Sequence, residues 1–200
     1  MLEHDLVFPH SYEVEGLPEL PGSGKFDVPV LYFPPPKNRP DHNGLWLKMV
    51  PATGKSWIGV FKFLFDSPRS FSRIVSTPDP NRVCIISGSA GYLVKVENPE
   101  IWEEVVIPVL SVLPLPAHDL IIFSDFTGLA AYGRNGLSWR SPRLCWDELR
   151  IVKVTGNTIE GTGYDPTNSV SNESRFAVEI GTGRSLLPCP TTFTDGKPVW

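Results

Sequence analysis

Apolar residues along this chain come in short blocks bounded by Gly, Pro, Asn and Asp, and few blocks keep the spacing of an amphipathic helix. Blocks of this kind, rich in Val, Ile, Phe, Tyr, Trp and Thr, predict strands. Residues 151–155 and 158–161 flank Gly156-Asn157, a two-residue hairpin loop in which glycine supplies the positive φ of a primed turn. That register sets Val154 opposite Ile159 and Lys153 opposite Glu160, leaving one face apolar and the other carrying an ion pair. A second hairpin is predicted from residues 129–132 and 137–140 around Gly133-Arg134-Asn135-Gly136. With the turn at Asn135-Gly136, Tyr132 lies across from Trp139. Residues 176–180 alternate and stop at Gly181-Thr182-Gly183.

A first strand is predicted over residues 25–33, after which Pro34-Pro35-Pro36 enforces an extended connection. Helix is scarce. Asn98-Pro99-Glu100 offers a cap and first turn for a short helix through Glu104, but the β-branched run Val105-Val106-Ile107 favours a turn into a strand. One helical turn over 145–150 is the other candidate. The expected fold is therefore all-β, with antiparallel strands and hairpins in a two-sheet sandwich or barrel. Residues 1–24 read as an irregular N-terminal arm, 25–187 as a single all-β domain, and 188–200 as an irregular C-terminal tail.

Composition sharpens this picture. The chain has 21 Pro in 200 residues, about twice ordinary usage of roughly 5%, and its 17 Gly multiply the turns further. The net charge of −4 and the absence of a dense Lys/Arg cluster argue against a nucleic-acid partner. The first sixteen residues hold no Lys or Arg, and residues 105–115, the longest apolar stretch, are broken by Pro108 and Pro114. No signal peptide or membrane span is expected, and the reading is cytoplasmic. Cys84, Cys145 and Cys189 lack disulfide or zinc spacing, so buried free thiols are expected and no cofactor is implied.

Setting residues 83–102 over 120–139, an offset of 37, aligns two strand-turn-strand units without a gap. Ile85/Ile122, Ser87/Ser124, Gly91/Gly128, Asn98/Asn135 and Trp102/Trp139 coincide. A closing phrase recurs as Thr53-Gly54-Lys55-Ser56-Trp57, Asn98-Pro99-Glu100-Ile101-Trp102, Asn135-Gly136-Leu137-Ser138-Trp139 and Thr182-Gly183-Arg184-Ser185-Leu186. Its intervals approach the repeat of about 40–50 residues found in propeller blades. The phrasing resembles the blade repeat of quinoprotein-like β-propellers, best over residues 119–139. The resemblance implies, as the alternative architecture, a small propeller-like array of four meander units. It transfers no quinone-binding or catalytic residue.

Apparent catalytic motifs fail on context. Gly54-Lys55-Ser56 ends like a phosphate-binding loop, but Met49 stands where the first glycine is required and a strand-like run follows. Ser87-Gly88-Ser89-Ala90-Gly91 lacks the first glycine of a nucleophile elbow and reads as a hairpin turn. His4, His10, His42 and His118 have no metal-ligand spacing, and Asp119 and Asp125 read as turn formers. The densest group of interaction-capable side chains is Trp139, Arg140, Arg143, Trp146 and Asp147, since Trp and Arg dominate binding hot spots. The expectation is a non-catalytic protein-binding or structural domain that binds a partner or self-associates. The alternative is carbohydrate binding or processing, with Trp46, Trp57, Trp139 and Trp146 forming a solvent-facing row. A hydrolase assembled from scattered His, Asp and Ser is the third reading.

Overall fold

The structure, a computed structural model, describes residues 2–17, 25–38, 42–65, 70–168 and 171–188, together with two short strands near the C-terminus. The strands in chain order are β1 (Glu3–Asp5), β2 (Tyr12–Gly16), β3 (Val30–Phe33), β4 (Gly44–Pro51), β5 (Trp57–Lys62), β6 (Arg73–Ser76), β7 (Arg82–Ser87), β8 (Ala90–Lys95) and β9 (Trp102–Glu104). They continue as β10 (Ser111–Leu115), β11 (Leu120–Ser124), β12 (Leu129–Gly133), β13 (Gly136–Arg140), β14 (Asp147–Thr155), β15 (Thr158–Tyr164) and β16 (Glu173–Glu179). Last come β17 (Phe193–Thr194) and β18 (Lys197–Pro198), which pair with each other. The fold is all-β and mostly antiparallel, as the hydrophobic pattern predicts. Among the described residues the one helical element is a 3-10 turn, Pro116–His118.

Four sheets follow one another along the chain: β2-β4-β5-β3, then β1-β6-β7-β8-β9, then β10-β11-β12-β13, then β14-β15-β16. Among the described residues no sheet closes on itself as a barrel. They pack face to face as in a sandwich, and the packing recurs three times. Leu47, Met49, Trp57 and Phe61 of the first sheet meet Ile74, Val83, Ile85 and Val94 of the second. Val75, Cys84, Ile86 and Leu93 on the other face of the second sheet meet Ile121, Phe123 and Tyr132 of the third. Ile122, Ala131 and Trp139 then meet Ile159, Phe176 and Val178 of the fourth. The central strands β7 and β11 are thus buried on both faces, which explains why they read as continuous apolar runs rather than alternating ones.

The internal repeat is present, with an offset of 38 instead of 37. The pairs Ile74↔Ile85, Ile85↔Tyr92 and Cys84↔Leu93 of the second sheet map onto Val112↔Phe123, Phe123↔Ala130 and Ile122↔Ala131 of the third. At 37 the superposition stacks Ile85, which faces the first sheet, on Ile122, which faces the fourth. A slip of one residue reverses every face, because side chains alternate with period two. The same spacing carries Phe123 to Gly161 and Ile121 to Ile159 in the fourth sheet, all on backward faces.

The array ends in two different ways. On the first sheet, the outer face of Trp46, Ile58 and Val60 is covered by Phe26, Val28, Val30 and Tyr32. On the fourth, Glu160 and Thr162 occupy the forward positions held by Cys84 and Ile86, then Ile122 and Ser124, in the preceding sheets. A polar terminal face is what caps a stacked array. Among the described residues no hydrophobic cluster joins the first sheet to the fourth.

Several local expectations change. The hairpin around Gly156-Asn157 forms in the predicted register, with Lys153 Nζ 3.2 Å from Glu160 Oε2. In the other hairpin Gly133 pairs with Gly136, so Arg134-Asn135 makes the turn. Tyr132 then lies opposite Leu137, and a bulge puts Trp139 opposite Ala131. The segment read as an irregular N-terminal arm supplies β1 and β2, added to β6 and β4; residues 18–24 lie outside the described residues. The strand expected over 25–33 is confined to β3, and most of the tail from 188 onward is not described. Neither candidate helix forms: Ile101 N donates to the Asn98 carbonyl in a turn, and β14 begins at Asp147.

Candidate functional site

One end of the third and fourth sheets gathers the side chains most suited to recognition. The turn between β11 and β12 is built by Asp125, whose Oδ1 accepts from Thr127 N at 2.8 Å, Thr127 Oγ1 at 3.3 Å and Gly128 N at 2.8 Å. Just past β15, Asp165 Oδ1 accepts from Thr167 N at 2.9 Å and Thr167 Oγ1 at 2.6 Å. Both are Asx-turns of the form Asp-x-Thr, in which a carboxylate satisfies backbone donors that the turn would leave unpaired. They fix the backbone around two exposed rings, Phe126 at 45% and Tyr164 at 42%.

The connection from β13 to β14 runs between these turns. Leu144 N donates to the Thr127 carbonyl at 2.7 Å, Trp146 N to Tyr164 at 2.9 Å and Leu149 N to Phe126 at 3.3 Å. Arg143 lies across the half-buried Trp146 with its guanidinium carbon 4.9 Å from the ring centroid. Its Nε and Nη2 donate to the carbonyls of Cys145 and Trp146, both at 3.0 Å. This is a cation–π contact held in place by two hydrogen bonds. The Trp146 indole N–H is buried without a hydrogen-bond partner among the described residues. Asp147 Oδ1 accepts from Glu148 N at 2.7 Å, and Glu148 takes a left-handed φ of 52° as β14 begins with a bulge. Beside Tyr164 a cleft of about 350 Å³ opens between Glu148, Arg150, Asn172 and Glu173.

Cys145 sits beneath this surface. Its Sγ donates weakly to the Phe126 carbonyl at 3.5 Å, and a Cβ at Gly163 would come within 2.4 Å of that sulfur. Burial, helped by Asp147, pushes the thiol up to about 11. It is therefore protonated at neutral pH and is no nucleophile there. Burial likewise raises Cys84 far above its ordinary range. Both are buried free thiols, as expected; Cys189 lies outside the described residues.

Of the five side chains singled out by sequence, Arg143, Trp146 and Asp147 come together here. Trp139 does not: it is buried, with its indole N–H on the Ile180 carbonyl at 2.7 Å. Arg140 is exposed on the opposite side of β13, opposite Ala130, where its charge bears on Tyr132. Phe126 and Tyr164 were not singled out, and the signal that marks them is the repeated Asp-x-Thr beside each. Trp46, Trp57 and Trp139 are all buried, so these indoles form no solvent-facing row. Among the described residues no group of three His, Cys, Asp or Glu converges as a metal site, and no helix is long and apolar enough to cross a membrane. No protein-family model and no curated protein matches the chain.

Proposed function

We propose that the chain is a non-catalytic binding module that engages a protein partner through the loop end of its third and fourth sheets. The observation that carries this reading is the placing of Phe126 and Tyr164 on two Asx-turns, on either side of the Arg143–Trp146 stack. Aromatic and Arg side chains supply most of the energy at protein interfaces, and rings held still before contact lose little entropy on binding. The thiol within the site is protonated, and the carboxylates of Asp125, Asp147 and Asp165 are engaged by nearby backbone N–H groups, which favours recognition over chemistry. The resemblance to quinoprotein-like blades is taken as one of unit architecture, an open run of blade-like sheets, with no cofactor role attached. The proposed compartment is the cytoplasm.

A photoreactive phenylalanine analogue placed at 126 or 164 and irradiated in the producing cell tests the reading. The expected result is a discrete protein adduct from both positions and none from Thr155, exposed at the far end of β14. Adducts of equal yield from all three positions, or from none, would overturn it. Binding of the purified chain to a glycan array, lost on Tyr164→Ala, would replace it with the carbohydrate reading.

A further inference from the structure

The forward face of the fourth sheet carries its charges in rows that the ladder fixes. Directly opposed residues of an antiparallel pair share a face, and Asp147, Tyr164 and Glu173 form one such row across β14, β15 and β16. The exposed Tyr164 ring therefore stands between two exposed carboxylates. In the adjacent row, about 7 Å along the strands, the sign reverses, with Arg150 and Arg175 flanking Thr162.

The arginines nearest the ring are already engaged. Arg143 lies over Trp146 and donates to two carbonyls, and Arg150 is paired with Glu148 at 3.2 Å. Asp147 accepts the Glu148 N–H through Oδ1, yet among the described residues neither Asp147 nor Glu173 has an ion-pair partner. Their charge is felt below the surface: after burial itself, Asp147 is the next cause holding up the Cys145 thiol, with Asp125 adding to it and Arg143 opposing both. The cleft of about 350 Å³ beside Tyr164 opens between Glu148 and Glu173, with Ser171 and Asn172 on its wall. An aromatic face bordered by carboxylates attracts a cation twice, through the ring quadrupole and through Coulomb attraction. An acidic group at the same place meets like charge on both sides, which is penalised.

We propose that the partner segment seated at the loop end is basic, laying a Lys or Arg side chain over the Tyr164 ring between Asp147 and Glu173. The assignment rests on the loop-end reading, to which it adds the chemistry of the partner. The Arg150–Arg175 row confines the cation to the Tyr164 row. A single basic residue beside neutral or acidic neighbours therefore fits better than a run of lysines.

The test pans a random dodecapeptide phage library on the immobilised full chain, with the Phe126→Ala/Tyr164→Ala chain as counter-selection. The expected result is a set of peptides sharing one Lys or Arg, whose blocked synthetic forms bind the full chain in fluorescence anisotropy. Asp147→Asn/Glu173→Gln, two exposed changes that keep the Asp147 acceptor, should weaken that binding by about three- to tenfold. Tyr164→Leu, which keeps an apolar side chain, should weaken it by about two- to fivefold. Selected peptides that depend on Phe126 and Tyr164 but are acidic or uncharged would overturn the basic assignment and leave the loop-end reading standing. Lys- or Arg-rich peptides indifferent to both sets of substitutions would overturn it as general charge attraction. A failure to select any peptide that depends on either ring would overturn both.

Discussion

The indole N–H of Trp139 donates to the carbonyl of Ile180 at 2.7 Å, so a side chain rooted in the third sheet satisfies a backbone group of the fourth. Two packings earlier in the chain, Trp57 of the first sheet does the same to Val96, beyond β8 of the second, at 2.9 Å. In each case the accepting residue's own N–H is held by an asparagine just before the neighbouring strand, Asn81 for Val96 and Asn157 for Ile180. Trp102, which shares the closing phrase, packs back into the cluster between the first and second sheets. The two latches therefore join first to second and third to fourth.

Trp57→Phe and Trp139→Phe should each destabilise the chain by about 1–3 kcal/mol, because each leaves a buried carbonyl without its donor. The two latches share no partner, so the double variant should lose the sum of the single losses to within about 0.5 kcal/mol. Urea denaturation followed by Trp fluorescence and circular dichroism measures this. A single variant as stable as the parent would mean that the bond is replaced by water and holds nothing.

Gly183 lies against the Trp139 latch with φ 72°, and a Cβ there would stand 2.4 Å from the indole. Gly54 has φ 90° with no atom within 4 Å of the same construction. Gly54→Ala should therefore cost only the left-handed backbone penalty of about 1–2 kcal/mol. Gly183→Ala should add an overpacking cost of about 1–3 kcal/mol. The comparison of midpoints separates conformation from crowding; equal losses would show that the indole moves aside freely.

The two hairpins show how far the residue pattern reaches. Around Gly156-Asn157, alternation and turn chemistry agree, and the observed register follows. Around Arg134-Asn135 a single bulge sends Tyr132 and Trp139 to opposite faces, and nothing in residue identity marks a bulge. For the same reason identities favoured an offset of 37 for the repeat, since they carry no record of which face a side chain takes. The three-residue β1 was invisible because Glu3-His4-Asp5 joins through its backbone, not through an apolar pattern. At the candidate site the Arg and Trp residues were visible by type. The grouping of Arg143 with Phe126 and Tyr164, and its separation from Arg140, depends on turns made far apart in the chain.

The Cys145 thiol gives a pH-dependent signature. Its pKa rises from 9.0 to about 11 on folding, so the folded state holds the proton more tightly than the unfolded one. The stability this contributes is complete below pH 9 and is lost as pH rises from 9 toward 11. Alkylation of native protein by iodoacetamide should accordingly stay slow at pH 9, and Cys145→Ala should show less loss of stability over that interval than the parent. Mass spectrometry of the labelled peptide and denaturation at both pH values provide the readouts. Rapid labelling of Cys145 at pH 8 would contradict the burial that raises it.

The polar forward face of the fourth sheet ends the stack, and it does so at identifiable positions. Glu160 stands where Cys84 and Ile122 stand in the preceding sheets, and Thr162 where Ile86 and Ser124 stand. Those residues are each covered by the next sheet, whereas Glu160 is tied to Lys153 and Thr162 lies between Arg150 and Arg175 across the strands. Replacing Glu160 and Thr162 with Ile would restore the apolar pattern on a face against which no hydrophobic cluster of the described residues packs. Contiguous exposed apolar surface drives association, so the double variant should elute as a concentration-dependent dimer or larger species in light scattering while the parent's mass stays constant under dilution. Adding Arg175→Val should strengthen the effect, because Arg175 sits directly across from Thr162. A charge-only variant, Glu160→Gln, should leave the mass unchanged and so separates apolar burial from the loss of one ion pair. If Glu160→Ile/Thr162→Ile keeps the parent's mass at every concentration, the fourth sheet is not acting as a cap, and the ending of the array must be sought in the segments that flank it.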